Sequence, residues 1–280
     1  MTATSLKPPA HSEELKVEFP AEHVLLLTLN RPKSLNAMTP RMGEDLRNVL
    51  DWFETEPHLW VVIVTGAGRI FCAGADLKAW NNDQQQNKTD EQERVAADVH
   101  GFGSLSRRQS LKPIIAAVPG GAYGGGMEIL LNCDIVVAAE GAKFALPEVK
   151  RGVVAIQGGI PRLARISGHQ LASELLLLGR TIDAAEAQNR FGFVNQVVPP
   201  SKVLSAALDI AKQIVANSPD AVQSTKEGLL ISQKLGFHET LLADVGSPAS
   251  TRVYKGDNIK EGLKAFNEKR SPAWRNPAKL

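Results

Sequence analysis

Gly120-Gly121-Ala122-Tyr123-Gly124-Gly125-Gly126-Met127-Glu128-Ile129-Leu130-Leu131-Asn132-Cys133-Asp134 is the stretch from which the fold can be read outward. An apolar run of strand length, residues 114–118, delivers the chain to it. The glycines let the backbone turn tightly and come close to a ligand. A helix over 125–132 follows, and its first N–H groups have no partner inside the helix. Ile129, Leu130 and Leu131 place that helix in the core. Glu128 sits in its first turn, and a carboxylate in an apolar helix needs a reason. A second apolar run over 134–139 closes a strand–turn–helix–strand unit.

The same pattern extends in both directions. Runs at 24–29 and 61–65 read as buried strands, stopped by Asn30-Arg31-Pro32-Lys33 and by Gly66-Ala67-Gly68. Thr39-Pro40 opens a helix, because Thr caps well and Pro fits the first helical position. Met42, Leu46, Val49, Leu50 and Phe53 then fall on one face. Residues 81–93 are polar and are expected to form a mobile loop that leads into a helix over 94–110. Beyond Gly158 the pattern is mostly helical, with a short strand at 194–198, and after Pro200 only helices are expected. The class is therefore α/β. Residues 1–20, with Pro8, Pro9 and Pro20, read as a flexible N-terminal arm. Residues 21–200 read as the core that carries the site, and residues 201–280 as a helical region.

Composition narrows the function. A chain of 280 residues with 43% hydrophobic and 22% charged residues has an ordinary globular make-up. A net charge of +2 argues against nucleic acid or a membrane surface as partner. No apolar run, the one within 174–179 included, is long enough to span a bilayer. Two cysteines, Cys72 and Cys133, are too few for a disulfide framework or a zinc site, and both read as packing residues. No metal is expected. The N-terminus lacks the apolar segment of a signal peptide. The C-terminal Ala278-Lys279-Leu280 is close to a Ser-Lys-Leu peroxisomal address, so the import receptor is an expected partner and the peroxisomal matrix the expected location. Several motifs fail. Val64-Thr65-Gly66-Ala67-Gly68 lacks the third glycine of a dinucleotide fingerprint, and no Gly-Lys-Ser/Thr ends the glycine run at 120–126. A Gly-x-Ser-x-Gly elbow is absent as well.

Three pieces carry chemistry. The N–H of Gly125, at the start of the helix, can donate to an oxygen that becomes negative. In Phe71-Cys72-Ala73-Gly74-Ala75-Asp76-Leu77 the small residues allow close backbone approach, and the N–H of Ala75 is a second donor. Asp76 reads as the cap of a helix that begins at Leu77. Two such donors form an oxyanion hole, each typically contributing about 3 kcal/mol in the transition state. The third piece, Phe144-Ala145-Leu146-Pro147-Glu148-Val149, supplies a second glutamate 20 residues after Glu128.

Taken in order, these pieces resemble the enoyl-CoA hydratase/isomerase (crotonase) family. The likeness runs from Leu29-Asn30-Arg31-Pro32-Lys33-Ser34-Leu35-Asn36-Ala37-Met38 to Ala265-Phe266-Asn267-Glu268-Lys269-Arg270. Between them lie Gly179-Arg180-Thr181-Ile182-Asp183-Ala184-Ala185-Glu186-Ala187 and Gly192-Phe193-Val194-Asn195-Gln196-Val197-Val198-Pro199. The resemblance implies a crotonase-like spiral of ββα units with a C-terminal helical trimerisation region, the trimers often paired into hexamers. It implies an acyl-CoA substrate, with coenzyme A as part of the substrate and no permanently bound cofactor. The thioester oxygen would lie between the N–H groups of Ala75 and Gly125, with Glu128 and Glu148 as the catalytic carboxylates. Lys33, Ser34, Leu35, Ala73, Asp76, Leu77, Lys78 and Gly124 would follow the CoA, and Phe266 and Lys269 would reach the CoA of a neighbouring subunit. The implied reaction is reversible syn addition of water to a 2-enoyl-CoA, as in fatty-acid β-oxidation.

One segment departs from the family. Gly152-Val153-Val154-Ala155-Ile156-Gln157-Gly158-Gly159 has Ala155 where the family usually has proline and Ile156 where it has glycine. Bulk at Ile156 is expected to reshape the pocket. Double-bond isomerisation or another crotonase-type dehydration is the nearest alternative, and two retained glutamates favour hydration over it. An inactive thioester-binding or RNA-binding paralogue, and a glycosidase built on the carboxylate pair, are disfavoured by the retained glutamates, the near-neutral charge and the few aromatics.

Overall fold

The computed structural model describes residues 6–76, 85 and 91–277. Among the described residues, nine strands form two sheets. The larger sheet has the order β1-β2-β3-β4-β6-β9, with β1 at Leu15–Ala21, β2 at Val24–Leu29, β3 at Val61–Gly66, β4 at Ile114–Val118, β6 at Ile135–Ala139 and β9 at Gln196–Val198. From β2 onward its neighbours are parallel, and β1 alone pairs antiparallel. The smaller sheet joins β5 (Gly121–Tyr123), β7 (Lys143–Ala145) and β8 (Ile182–Asp183). Strands buried on both faces are near-continuously apolar: Ile114–Val118 is apolar throughout, and Val24–Leu29 is except for the half-buried Thr28.

Helix α1 (Pro40–Thr55) begins as its sequence dictates. Thr39 is the cap, its side chain accepting from the Met42 N–H at 3.0 Å, and Pro40 opens the first turn. Met42, Leu46, Val49, Leu50 and Phe53 are all buried. Helix α2 covers Glu91–Ala97, α3 Gly125–Leu130, α4 Gly159–Ser167 and α5 His169–Leu178. The C-terminal layer is helical: α6 (Val203–Val215), α7 (Pro219–Ser232), α8 (Phe237–Val245), α9 (Pro248–Lys255) and α10 (Asp257–Asn267). Val203, Ala207 and Ala211 of α6 belong to the main core, so this layer starts by covering the sheet.

Two expectations are corrected. The N-terminal arm ends at Glu14, because Leu15–Ala21 alternates in burial and pairs with β2 as an edge strand. Pro20 is tolerated there because an edge strand leaves half its N–H groups unpaired. The helix expected over 94–110 stops at Ala97. Asp98 draws the N–H groups of His100 and Gly101 onto its Oδ1 at 3.0 and 3.2 Å, and Gly101 and Gly103 take left-handed φ values of +69° and +58°. The loop expected over 81–93 falls largely outside the described residues, as do Leu77, Lys78 and the terminal Ala278, Lys279 and Leu280.

Candidate active site

The site forms at the carboxyl ends of the parallel strands, where α/β sheets place their clefts. Three loops leave that edge: residues 30–38 after β2, 67–76 after β3 and 119–126 after β4. Asn36, fully buried, ties the first two together. Its Oδ1 accepts from the Arg31 N–H at 2.9 Å, and its Nδ2 donates to the carbonyls of Ala67 and Ile70 at 2.9 and 2.8 Å. Ala73 donates to the Leu35 carbonyl at 3.0 Å, and Met38 to the Gly74 carbonyl at 2.9 Å. Loop 67–76 in turn runs beside β5, with Phe71 N–H bonded to Gly121 O at 2.8 Å and Tyr123 N–H to Cys72 O at 3.0 Å.

This stitching brings Gly74, the residue before Ala75, against Gly125. A Cβ on Gly74 would lie 3.4 Å from the Gly125 nitrogen and 2.9 Å from the Tyr123 carbonyl oxygen. Such an approach needs glycine, and Gly74 also has a φ of +94°. Gly124, at φ +54°, turns the chain into α3. Among the described residues, neither the Ala75 nor the Gly125 N–H has a backbone acceptor. The ring of Phe102 stands over Gly125, close enough that a Cβ there would overlap it at 2.6 Å.

Glu128 is 3% exposed. Its Oε1 accepts from the N–H groups of Gln157 and Gly159 at 2.8 and 2.9 Å, which fixes the carboxyl and leaves Oε2 as its other oxygen. Burial pushes its pKa up to about 7; the two N–H groups pull it down, and the charge of Glu148 adds to the rise. Glu148 opens the 3-10 turn Glu148–Arg151 after Pro147. Its Oε1 lies 3.3 Å from where a Cβ on Gly124 would stand, and Gly124 O in turn accepts the Glu128 N–H at 3.0 Å. Its Oε2 is buried and has no hydrogen-bond partner among the described residues. Burial raises the Glu148 pKa as well, opposed by Arg151. Both carboxyls are raised by burial, and Glu128, at about 7, can exchange a proton near neutral pH beside the glycine turn that Glu148 also faces.

The remaining expected contacts divide. Lys33 and Ser34 are exposed on the turn Pro32–Ser34, and Leu35, at φ +53°, closes it beside Ala73. Asp76 pairs with Arg31 at 3.7 Å. These residues and Gly124 gather at one edge of the site. Phe266, 82% exposed, and Lys269 sit at the end of α10, with no bond to that edge among the described residues. Cys72 is fully buried and its thiol is pushed up to about 12, so it packs and does not react. Ile156, expected to bulk the pocket, is 46% exposed, while Ala155 beside it is buried. Sequence reasoning missed Phe102, Gln157 and the Gly159 N–H. The Gly158-Gly159 pair was their one visible signal.

Residues 20–277 match the family model described as enoyl-CoA hydratase/isomerase. The chain is 44% identical over 264 residues to a protein of Aspergillus fumigatus named mevalonyl-coenzyme A hydratase, covering 94% of this chain and 95% of that one. A Beauveria bassiana protein of the same name is also 44% identical, with 99% of each covered. The crystal structure of an enoyl-CoA hydratase from Bacillus anthracis superposes with a TM-score of 0.84 at 35% identity, covering 93% of this chain and 98% of that one. The chain belongs to the enoyl-CoA hydratase/isomerase (crotonase) family, as an enzyme of the hydratase type.

Proposed function

We propose that this chain interconverts a 3-hydroxyacyl-CoA and its 2-enoyl-CoA, and that the thioester is mevalonyl-CoA or one built like it. The relatives at 44% identity carry that substrate in their names. The acyl group is hydroxylated at carbons 3 and 5. The supporting observation is the pair of raised carboxyls, Glu128 and Glu148, flanking the Gly124–Gly125 turn.

In the dehydrating direction the thioester oxygen lies between the N–H groups of Ala75 and Gly125, which stabilise the enolate-like charge. Glu148, nearest that turn, takes the proton from carbon 2. The released electron pair forms the C2–C3 double bond as the C3–O bond breaks. Glu128, protonated, gives its proton to the departing hydroxyl, which leaves as water. Hydration reverses each step. CoA lies along Lys33, Ser34, Leu35, Ala73, Asp76, Leu77, Lys78 and Gly124, and Phe266 and Lys269 reach the CoA of a neighbouring subunit.

Incubation with mevalonyl-CoA, 3-hydroxybutyryl-CoA and a 3-enoyl-CoA, read by mass, tests the reaction. Loss of one water from a hydroxyacyl-CoA is expected, and an unchanged mass with a shifted double bond would instead mark an isomerase. Glu128→Gln and Glu148→Gln should each lower kcat by about 10²- to 10⁴-fold while retaining CoA binding. Turnover near wild type in both would refute the assigned roles. We also propose import into the peroxisomal matrix through Ala278-Lys279-Leu280. An N-terminally tagged chain should become diffuse when those three residues are deleted, and continued import would remove the claim.

A further inference from the structure

A cavity of about 500 Å³ lies beside the catalytic centre and shares two walls with it. One is Phe102, whose ring stands over Gly125. The other is Gln157, whose N–H holds Glu128 Oε1 at 2.8 Å. Met38 and Val95 add apolar lining, and Ser104 completes this side.

Two polar groups in that lining lack partners. The Oε1 of Gln157 and the Oγ of Ser104 are buried, and neither has a hydrogen-bond partner among the described residues. Arg47 and Asp98, which also line the cavity, satisfy each other at 3.2 Å. Buried polar atoms are usually paired, and these two unpaired ones belong to residues that line the same cavity. Ser104 is odd in a second way. It is 3% exposed and holds a left-handed φ of +57°, a conformation unfavourable for a side chain with a Cβ. A serine stands where glycine would fit the backbone better, and its hydroxyl is one of the two unpartnered groups.

We infer that Gln157 and Ser104 form a polar subsite for a hydroxyl on the acyl chain beyond carbon 3. The inference rests on the reading of the site as one for CoA thioesters. A hydroxylated chain gives each orphan a partner. A plain alkyl chain in the same cavity removes both from water and returns nothing, and sites of that design reject the analogue strongly. Within 152–159 it is then Gln157, which lines the cavity, more than Ile156, whose side chain is 46% exposed, that shapes this part of the pocket.

The test compares mevalonyl-CoA with its 5-deoxy analogue, 3-hydroxy-3-methylpentanoyl-CoA, on the wild-type enzyme. The hydroxylated thioester should have the higher kcat/KM by about 10²-fold. Gln157→Met keeps the length and the backbone N–H but removes the carboxamide, and Ser104→Gly removes the hydroxyl while suiting the backbone. In each variant the ratio of the two kcat/KM values should fall toward one. Equal kcat/KM for both thioesters in the wild type would overturn the subsite and leave the hydratase reading intact. The same holds if both variants keep the wild-type ratio. Wild-type failure to dehydrate either thioester would overturn both readings.

Discussion

At the scale of the residue, Glu128 shows how burial makes a functional group. An unfolded glutamate titrates near 4.5, and the folded one near 7. Between those values the folded state binds the proton more tightly, so the stability linked to Glu128 is full below pH 4.5 and is lost as the pH rises to 7. Above pH 7 the buried charge is a constant cost. Glu128→Gln keeps an oxygen for the Gln157 and Gly159 N–H groups and removes that charge. The variant should therefore gain stability over wild type as the pH rises from 5 to 7 and hold a plateau above, at most about 3 kcal/mol. Urea unfolding across that range is the measurement. A difference that does not change with pH would mean that Glu128 does not titrate there. Strain at an active site of this kind is a common trade of stability for activity.

At the scale of the element, local rules and tertiary demands meet in α1. Thr39 caps the helix and also donates to Glu14 Oε2 at 2.5 Å, which links the cap to the segment before β1. Thr39→Ala should cost about 1 kcal/mol, and Thr39→Ser much less, by shift of the urea midpoint. Equal loss in both would mean that the methyl group, not the cap, matters. Residues 98–110 show the opposite case. A helix is expected across them, yet Asp98, the left-handed Gly101 and Gly103 and three serines are poor helix formers, and the irregular path lets Phe102 reach Gly125. The three-residue strands β5 and β7 were equally hidden. Three residues carry no periodicity, and they pair only because loop 67–76 and β6 bring their partners alongside.

At the scale of the whole molecule, the helical layer is tied to the core by Lys226 of α7, which meets Asp134 Oδ2 at 2.7 Å and the Lys112 carbonyl at 2.8 Å. Within the layer, Arg252 of α9 meets Asp220 of α7 at 3.1 Å. The outer faces of that layer stay apolar: Phe237 is 89% exposed, Phe266 82% and Leu242 62%. Exposed apolar side chains on this scale mark an interface. We propose a trimer or a hexamer, and light scattering with sizing should give a mass three or six times that of the chain. A monomer at micromolar concentration would refute the assembly and with it the role of Phe266 and Lys269.

The sequence by itself determined the buried strands β2, β3, β4 and β6, the Thr39 cap, the glycine turn at 124–126 and the identity of both glutamates. Those depend on apolar periodicity and backbone freedom, which are local properties. Only the tertiary structure decided that Glu128 is clamped by Gln157 and Gly159, that Glu148 faces Gly124, and that Phe102 covers Gly125. These contacts join residues far apart in the chain. Their geometry comes from how the loops stack at one edge of the sheet, and no spacing along the sequence encodes that.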